Sequence, residues 1–275
     1  MILKIVMCEG PHDTAFISRI LRVMGCGNDK TQIGDFPEAL REFLLSQYKP
    51  DIEAYPVYDA RSKTITPNYG LNYKDEILFL LYNMGGDSKK FNRQDLIRPF
   101  IALFGTEMAS SKSLGFDLHF IYEFDADQEG REKRIEKVNQ EIKEVMPDFP
   151  GLAHVEYEIH RNITWGAFIF AAPGSDKGKL EDMVLPLMRE DNEDIFSNVE
   201  QLADMRGTCH LYNIMKSKME KEHWDRDKAM IGMAGQLHKC GSGNVAIIEQ
   251  SCFITKEQLL NSKECREIGE FLLAR

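Results

Sequence analysis

Four acids, Glu123, Asp125, Asp127 and Glu129, occupy every second position of the stretch HFIYEFDADQEGRE, between an apolar run and a charged, helix-like segment. Side chains alternate across a strand, so Glu123 and Asp125 share one face, and Asp127 joins them as long as the backbone stays extended. Carboxylates this close repel, and one of them tends to keep its proton unless a counter-charge is at hand. A hard divalent cation removes that cost. Mg2+ takes one or two protein carboxylates and leaves its other positions to water and phosphate oxygens. The plainer alternative is a solvated acidic loop in which Asp127 caps a helix and Glu129 favours the positive end of its dipole. A further acid, Glu9, closes the apolar run ILKIVMC and leads through Gly10, Pro11, His12 and Asp13 into a helix. Asp13 there also suits a helix start.

The elements that must position these acids can be read from periodicity. Residues 2–8, 76–86 and 116–126 read as strands, as do VEYEIH and WGAFIFAAP. Helical spacing marks 11–25, 36–48, 93–105 (kinked or briefly broken at Pro99), 129–146 and 178–191. Residues 51–73 suggest extended segments and turns, and 193–221 a polar, Met-rich helical region. The segment DKAMIGMAGQLHKCGSGNVAIIEQSCFI reads as helix, glycine turn and short strand, and TKEQLLNSKECREIGEFLLA as one closing helix. Strands alternating with helices imply a largely parallel sheet covered on both faces. In such a sheet the ligand crevice lies beyond the carboxyl ends of the strands, where Glu9 and the Asp125/Asp127 pair both fall.

The whole chain has 275 residues, 43% of them hydrophobic, enough for a substantial core. A net charge of −10 argues against a protein that coats nucleic acid, but not against an enzyme that meets phosphate through a metal. Six cysteines without a CxxC pair speak against zinc and for free thiols, each expected as a small buried hydrophobe, in a reducing, cytoplasmic setting. The first residues do not read as a signal peptide, and no apolar run is long enough for a membrane span. No phosphate-binding GxxxxGK[ST] loop is present.

The pair CEGPHD and FDADQEG resembles the TOPRIM domain of topoisomerases, bacterial primases, small ribosomal-RNA maturases, recombination-repair proteins and overcoming-lysogenization-defect nucleases. The resemblance spans about residues 1–146 and implies a Rossmann-like parallel sheet flanked by helices. It makes Glu9 metal-linked or the general acid/base, Asp125 and Asp127 metal ligands, and Mg2+ or Mn2+ the cofactor. Residues 26–75 would then be an insertion in a core of 1–192, with 193–275 a mainly helical extension packed on it. The stretches WGAFIFAAPGSDKGKLEDMVLPL and DKAMIGMAGQLHKCGSGNVAIIEQ further resemble the tail of an uncharacterised bacterial TOPRIM-like family. There Glu181 and Asp182 match an L-E-D helix start, so Glu181 would complete a second metal site, or simply favour its helix dipole. Lys228 matches a family lysine expected to contact an anionic substrate.

Lys89, Lys90 and Arg93 follow Gly85-Gly86, where a glycine turn with basic side chains could hold a phosphate. Asp13, Lys89 and Lys228 are therefore the candidate substrate contacts. His12 could relay a proton or contact phosphate, although a histidine at a helix N-terminus is more often incidental. Arg131, Lys133, Arg134 and Lys137 are expected to pair with Glu132, Glu136 and Glu141 along their own helix. Trp165 and Trp224 read as core or half-buried anchors. The expected function is metal-dependent phosphodiester chemistry on nucleic acid, with a separately encoded ATPase as a conceivable partner. One rival is a catalytically silent module that binds nucleic acid or protein. The other is a haloacid-dehalogenase-type phosphatase with Asp125 as nucleophile, which the mid-chain motif followed by Gln128-Glu129 disfavours.

Overall fold

Residues 2–8, 77–83, 117–125 and 163–170 are nearly unbroken apolar runs, the pattern of strands covered on both faces. The computed structural model describes residues 1–47, 65–104, 114–208 and 224–275. Among the described residues the strands are β1 (Ile2–Cys8), β2 (Gly27–Asn28), β3 (Tyr69–Tyr73), β4 (Ile77–Asn83), β5 (Asp117–Asp125), β6 (Tyr157–His160) and β7 (Ile163–Phe170). They form one sheet in the order β2-β3-β4-β1-β5-β7-β6. The central four, β4-β1-β5-β7, run parallel, and β2, β3 and β6 extend the edges antiparallel. The fold is a Rossmann-like α/β sheet. Residues 26–75 contribute β2 and β3 to that sheet; 48–64 lie outside the described residues.

Ten helices cover the sheet among the described residues: α1 (Pro11–Val23), α2 (Glu38–Gln47), α3 (Lys90–Phe104), α4 (Arg131–Val145), α5 (Glu181–Arg189), α6 (Glu193–Asp204), α7 (Arg226–His238), α8 (Asn244–Gln250), α9 (Lys256–Asn261) and α10 (Lys263–Leu273). One face buries Ile5, Met7, Phe120, Tyr122 and Trp165 against α3 and α4. The other buries Val6, Cys8, Ile121 and Phe168 in a core that includes Phe16 of α1, Val184 of α5, Ile248 of α8 and Ile268 of α10. The C-terminal helices thus share the core of the sheet. None of these helices is long and apolar enough to cross a membrane.

Several sequence readings are corrected. NVAIIEQ is the helix α8 and not a strand: Ile247 and Ile248 are buried, and packing of α8 on α1 outweighs the β-propensity of the segment. The closing helix is two, α9 and α10, because Ser262 leaves helical geometry and its hydroxyl accepts from the Cys265 N–H to cap the second. Helix α3 runs on through Pro99 from Lys90 to Phe104. Trp165 is fully buried, stacked on Phe120, whereas Trp224 is exposed beneath the Arg206 guanidinium. Cys8, Cys26 and Cys265 are buried free thiols, but Cys240 and Cys252 are exposed; Cys209 lies outside the described residues. The helical reading of 193–221 holds for α6, and 209–221 likewise fall outside.

Register brings the chemistry to one rim. Cys8 lies beside Asn83 of β4 and Glu123 of β5, so β1 and β4 end together and β5 runs two residues further, to Asp125. Below the Gly85-Gly86 turn, Arg93 is buried and bidentate to Glu141 at 2.8 and 2.7 Å. Its Nη1 donates to the carbonyls of Gly85 and Gly86 at 2.7 and 3.0 Å. The phosphate role considered for Arg93 is thus replaced by a structural one, and Lys90 is taken by Glu144 at 2.8 Å. Arg93→Met strands a buried carboxylate and two carbonyls, and denaturant unfolding is expected to show a loss of ~3–5 kcal/mol. Adding Glu141→Leu to the same chain is expected to recover part of that loss.

Candidate functional site

Four acids from separate elements line one cavity of about 280 Å³: Glu9 after β1, Asp13 in α1, Asp125 at the end of β5 and Glu181 at the start of α5. Gly10, Pro11, His12, Gly86 and Lys228 complete its walls. Four of the sequence candidates, together with Lys228, are therefore brought together. Lys89 and Asp127 are not among the lining residues.

Each acid is held by local geometry. The Glu9 N–H donates to the Glu123 carbonyl at 3.3 Å, continuing the β1–β5 ladder by one residue. Glu9 Oε2 accepts from the Asp125 N–H at 3.4 Å, and its Oε1 lies against Gly86. A Cβ at position 86 would stand 2.8 Å from that oxygen, so a larger residue there would push the carboxylate aside. Asp13 caps its own helix, accepting from the Gly10 N–H at 2.5 Å, while lining the cavity. Asp125 Oδ1 accepts from the Leu180 N–H at 2.8 Å, which ties β5 to the entry of α5. Glu181 faces His12 Nδ1 at 3.3 Å and Lys228 Nζ at 3.6 Å, and His12 lines the same cavity.

Burial and mutual repulsion decide where charge sits. Burial above all, then Glu9 and Glu181, pushes the Asp13 carboxyl up to about 8, against the opposing pull of the Gly10 N–H and Lys228. Burial, then Asp13 and Glu9, raises Asp125 well above the ordinary carboxylate range. Burial also raises Glu9, although Arg134 and the Asp125 N–H oppose it. Glu181 goes the other way: burial pushes it up, but His12, Lys228 and its own backbone hold it below its usual value. The cavity therefore favours the charged form at Glu181 and disfavours it at Glu9, Asp13 and Asp125.

Asp127 departs from its expected place. It adopts a left-handed backbone, φ 50°, rather than an extended one. Its N–H donates to Gly178 O at 2.7 Å and its carbonyl accepts from Gly178 N–H at 2.9 Å. Gly178 is fixed in turn at φ 124°, where a Cβ would clash with the Ala172 backbone at 2.5 Å. This turn carries the Asp127 side chain off the Glu123/Asp125 face, 53% exposed, onto Arg134 at 2.6 Å. Arg134 is the residue the sequence reading missed. In place of pairing along its own helix it donates to the Asp125 carbonyl at 2.7 Å and to Asp87, and lies 3.9 Å from Glu9. Lys137 pairs with Glu129 at 2.5 Å and Asp87 at 3.1 Å, and Glu141 is spent on Arg93. Lys89 is exposed and packs its stem against Gly85.

Glu123 is fully buried, and neither of its oxygens has a hydrogen-bond partner. Burial, then Asp13, raises its carboxyl well above the ordinary range. Among the described residues, no three His, Cys, Asp or Glu side chains form a ready metal-ligand set. The donor chemistry nevertheless fits a hard cation. The acid side chains lining the cavity offer only oxygen, and Glu181 Oε2 is buried without a hydrogen-bond partner.

Because the folded Asp13 value lies above its unfolded value of 3.8, the folded state binds the extra proton, and its penalty grows as pH rises from about 4 to about 8. Asp13→Asn keeps an acceptor for the Gly10 N–H. In chelator-treated protein it is expected to raise Tm more at pH 8 than at pH 5, as read by thermal melts. An equal shift at both values would show that Asp13 carries no such penalty.

No protein family model matches the chain, and no curated protein matches it. The crystal structure of hypothetical protein PH0156 from Pyrococcus horikoshii OT3 aligns over 99% of this chain and 96% of its own, at 13% identity and a TM-score of 0.48.

Proposed function

We propose that this chain is a TOPRIM-like protein that holds Mg2+ or Mn2+ at its acid cavity and acts on phosphodiester bonds of nucleic acid. What supports the reading is the convergence of Glu9, Asp13, Asp125 and Glu181 on one cavity, where burial and mutual repulsion leave the acids short of positive charge. Because no three acids among the described residues form a ready ligand set, Glu9, Asp125 and Glu181 would have to draw in around the ion to hold it. When bound, such an ion supplies Lewis acidity, offsetting the charge that builds on a phosphoryl oxygen.

The chain's own residues supply the rest. Glu9, pinned between Gly86 and the Asp125 N–H, is placed to accept or return a proton. Lys228 and His12 line the same cavity as the acids and offer N–H donors to a phosphate. They compensate locally for an overall charge of −10, which otherwise repels nucleic acid. The free thiols suit a cytoplasmic setting. A separately encoded ATPase would be needed if the reaction is coupled to ATP, because the chain has no phosphate-binding loop of that kind.

One observation favours a catalytically silent binding module instead: Arg134 already pairs with Asp127, the second acid of the D-x-D motif. Metal uptake separates the two. Asp125→Asn is expected to weaken Mn2+ binding at least ~tenfold, or about 1.4 kcal/mol, in calorimetric titration while the far-ultraviolet spectrum stays unchanged. Unchanged affinity removes the site. Metal-dependent cutting is expected within a panel of supercoiled, linear, single-stranded and structured RNA or DNA substrates, and is expected to be lost in Glu9→Gln. A panel with no metal-dependent cleavage assigns the silent role. Gly86→Ala, whose added methyl crowds Glu9, is expected to lower cleavage and leave Tm nearly unchanged.

A further inference from the structure

We infer that Arg134 occupies the place of a second cation in the acid rim, so that the protein takes a single divalent ion, on the cavity acids alone. The inference rests on the metal-binding reading above. Arg134 is almost wholly buried and engaged on every side. Its Nε donates to the Asp125 carbonyl at 2.7 Å, Nη1 donates to Asp87, and Nη2 donates to Asp127 Oδ2 at 2.6 Å and lies 3.9 Å from Glu9 Oε2. The guanidinium also lies 6.0 Å from the centre of the Phe124 ring. A backbone carbonyl and two carboxylates thus fix the plane of the fork, unlike the loose pairing of a surface arginine. The group is charged at every relevant pH, so Asp127 and Asp87 already have their counter-charge. Lys137 adds a second contact to Asp87 at 3.1 Å.

The oxygens facing the cavity are served differently. Asp125 Oδ1 receives one backbone N–H, from Leu180. Glu181 Oε1 faces His12 and Lys228, but its Oε2 is buried without a hydrogen-bond partner. Arg134 therefore serves the two flanks of the rim unequally: Asp127 and Asp87 bond to it directly, whereas around the cavity it comes no nearer than 3.9 Å, to Glu9, and Glu181 is left to His12 and Lys228. A pair of ions would need Asp127 to reach the cavity, and the left-handed turn locked by Gly178 carries it the other way. On this reading Asp127 is a positioning residue. It holds the guanidinium that in turn anchors the Asp125 carbonyl beside Glu9.

The test counts Mn2+ by equilibrium dialysis and by the paramagnetic resonance of the free ion. Wild-type protein is expected to take up a single Mn2+, and Asp127→Asn to keep it with an affinity within about threefold, because the amide oxygen still accepts from Arg134 Nη2. Arg134→Met is expected to acquire a second Mn2+ on the vacated acids, and Arg134→Lys to return to one, because the ammonium restores the charge. Loss of the single ion in Asp127→Asn overturns the inference, as does a folded Arg134→Met that still binds one. If Arg134→Met does not fold, Asp127→Asn decides alone. Should wild-type protein bind no Mn2+, the metal-binding reading fails. Uptake by Arg134→Met would then still support the arginine as a cation in place, and no uptake would overturn that too.

Discussion

Gathering carboxyl groups in a place with little water is costly, because each charge loses its hydration and repels the next. That cost organises the rim of this sheet. In-register parallel strands bring Glu9 and Asp125 to the same edge, and the starts of α1 and α5 add Asp13 and Glu181. Nearly every unusual feature around them answers the resulting excess of negative charge. Arg134 is buried where a helix would normally place a solvated cation, Lys228 reaches Glu181 from α7, and Asp13 and Asp125 are pushed toward holding protons. A core built for stability alone would have no use for this arrangement, since apolar residues of similar volume would avoid the penalty.

Close backbone approach is the second constraint, and it depends on the first. Glu9 keeps its present position because residue 86 lacks a side chain, and the 85–86 turn is held from below by the Arg93–Glu141 pair. Gly178 performs the matching task on the other flank, pairing its backbone with Asp127 and steering that acid outward. Two buried arginines on one side of the sheet thus have distinct tasks. Arg93 shapes the turn beside Glu9, and Arg134 supplies charge to the rim itself.

Much of this was legible in the chain. Apolar runs gave the parallel strands, and acids at two strand ends marked the rim before any coordinates. Alternation placed Glu123 with Asp125 on one face. The position of Asp127 was not legible, because its left-handed backbone is fixed by hydrogen bonds to Gly178, far along the chain, and no local pattern encodes that pairing. Arg134 was hidden for a similar reason. Glutamates at helical spacing offered it local partners, each worth a few tenths of a kcal/mol at about i+4, and tertiary contacts with Asp87, Asp127 and a buried carbonyl outweigh them. Segment 244–250 was misread because its β-branched residues signal a strand locally, whereas a short helix buries the same isoleucines against α1.

The contrast between Glu181 and Asp13 shows how finely the cavity sorts its charge. Both are buried, and each repels the other, yet only Glu181 has cationic or polar hydrogen partners from two separate helices, His12 of α1 and Lys228 of α7. Asp13 spends one oxygen on the Gly10 N–H, a neutral donor that offsets less of the cost of ionisation. The same partners that keep Glu181 charged line the cavity that a phosphate would have to enter. An anion arriving alone would compete with Glu181 for Lys228 while meeting the remaining acids unscreened. A cation arriving first would relieve both problems, since it lowers the repulsion among the acids and frees the lysine to turn toward substrate. On the proposed reading, the electrostatics of the cavity therefore favour metal before substrate.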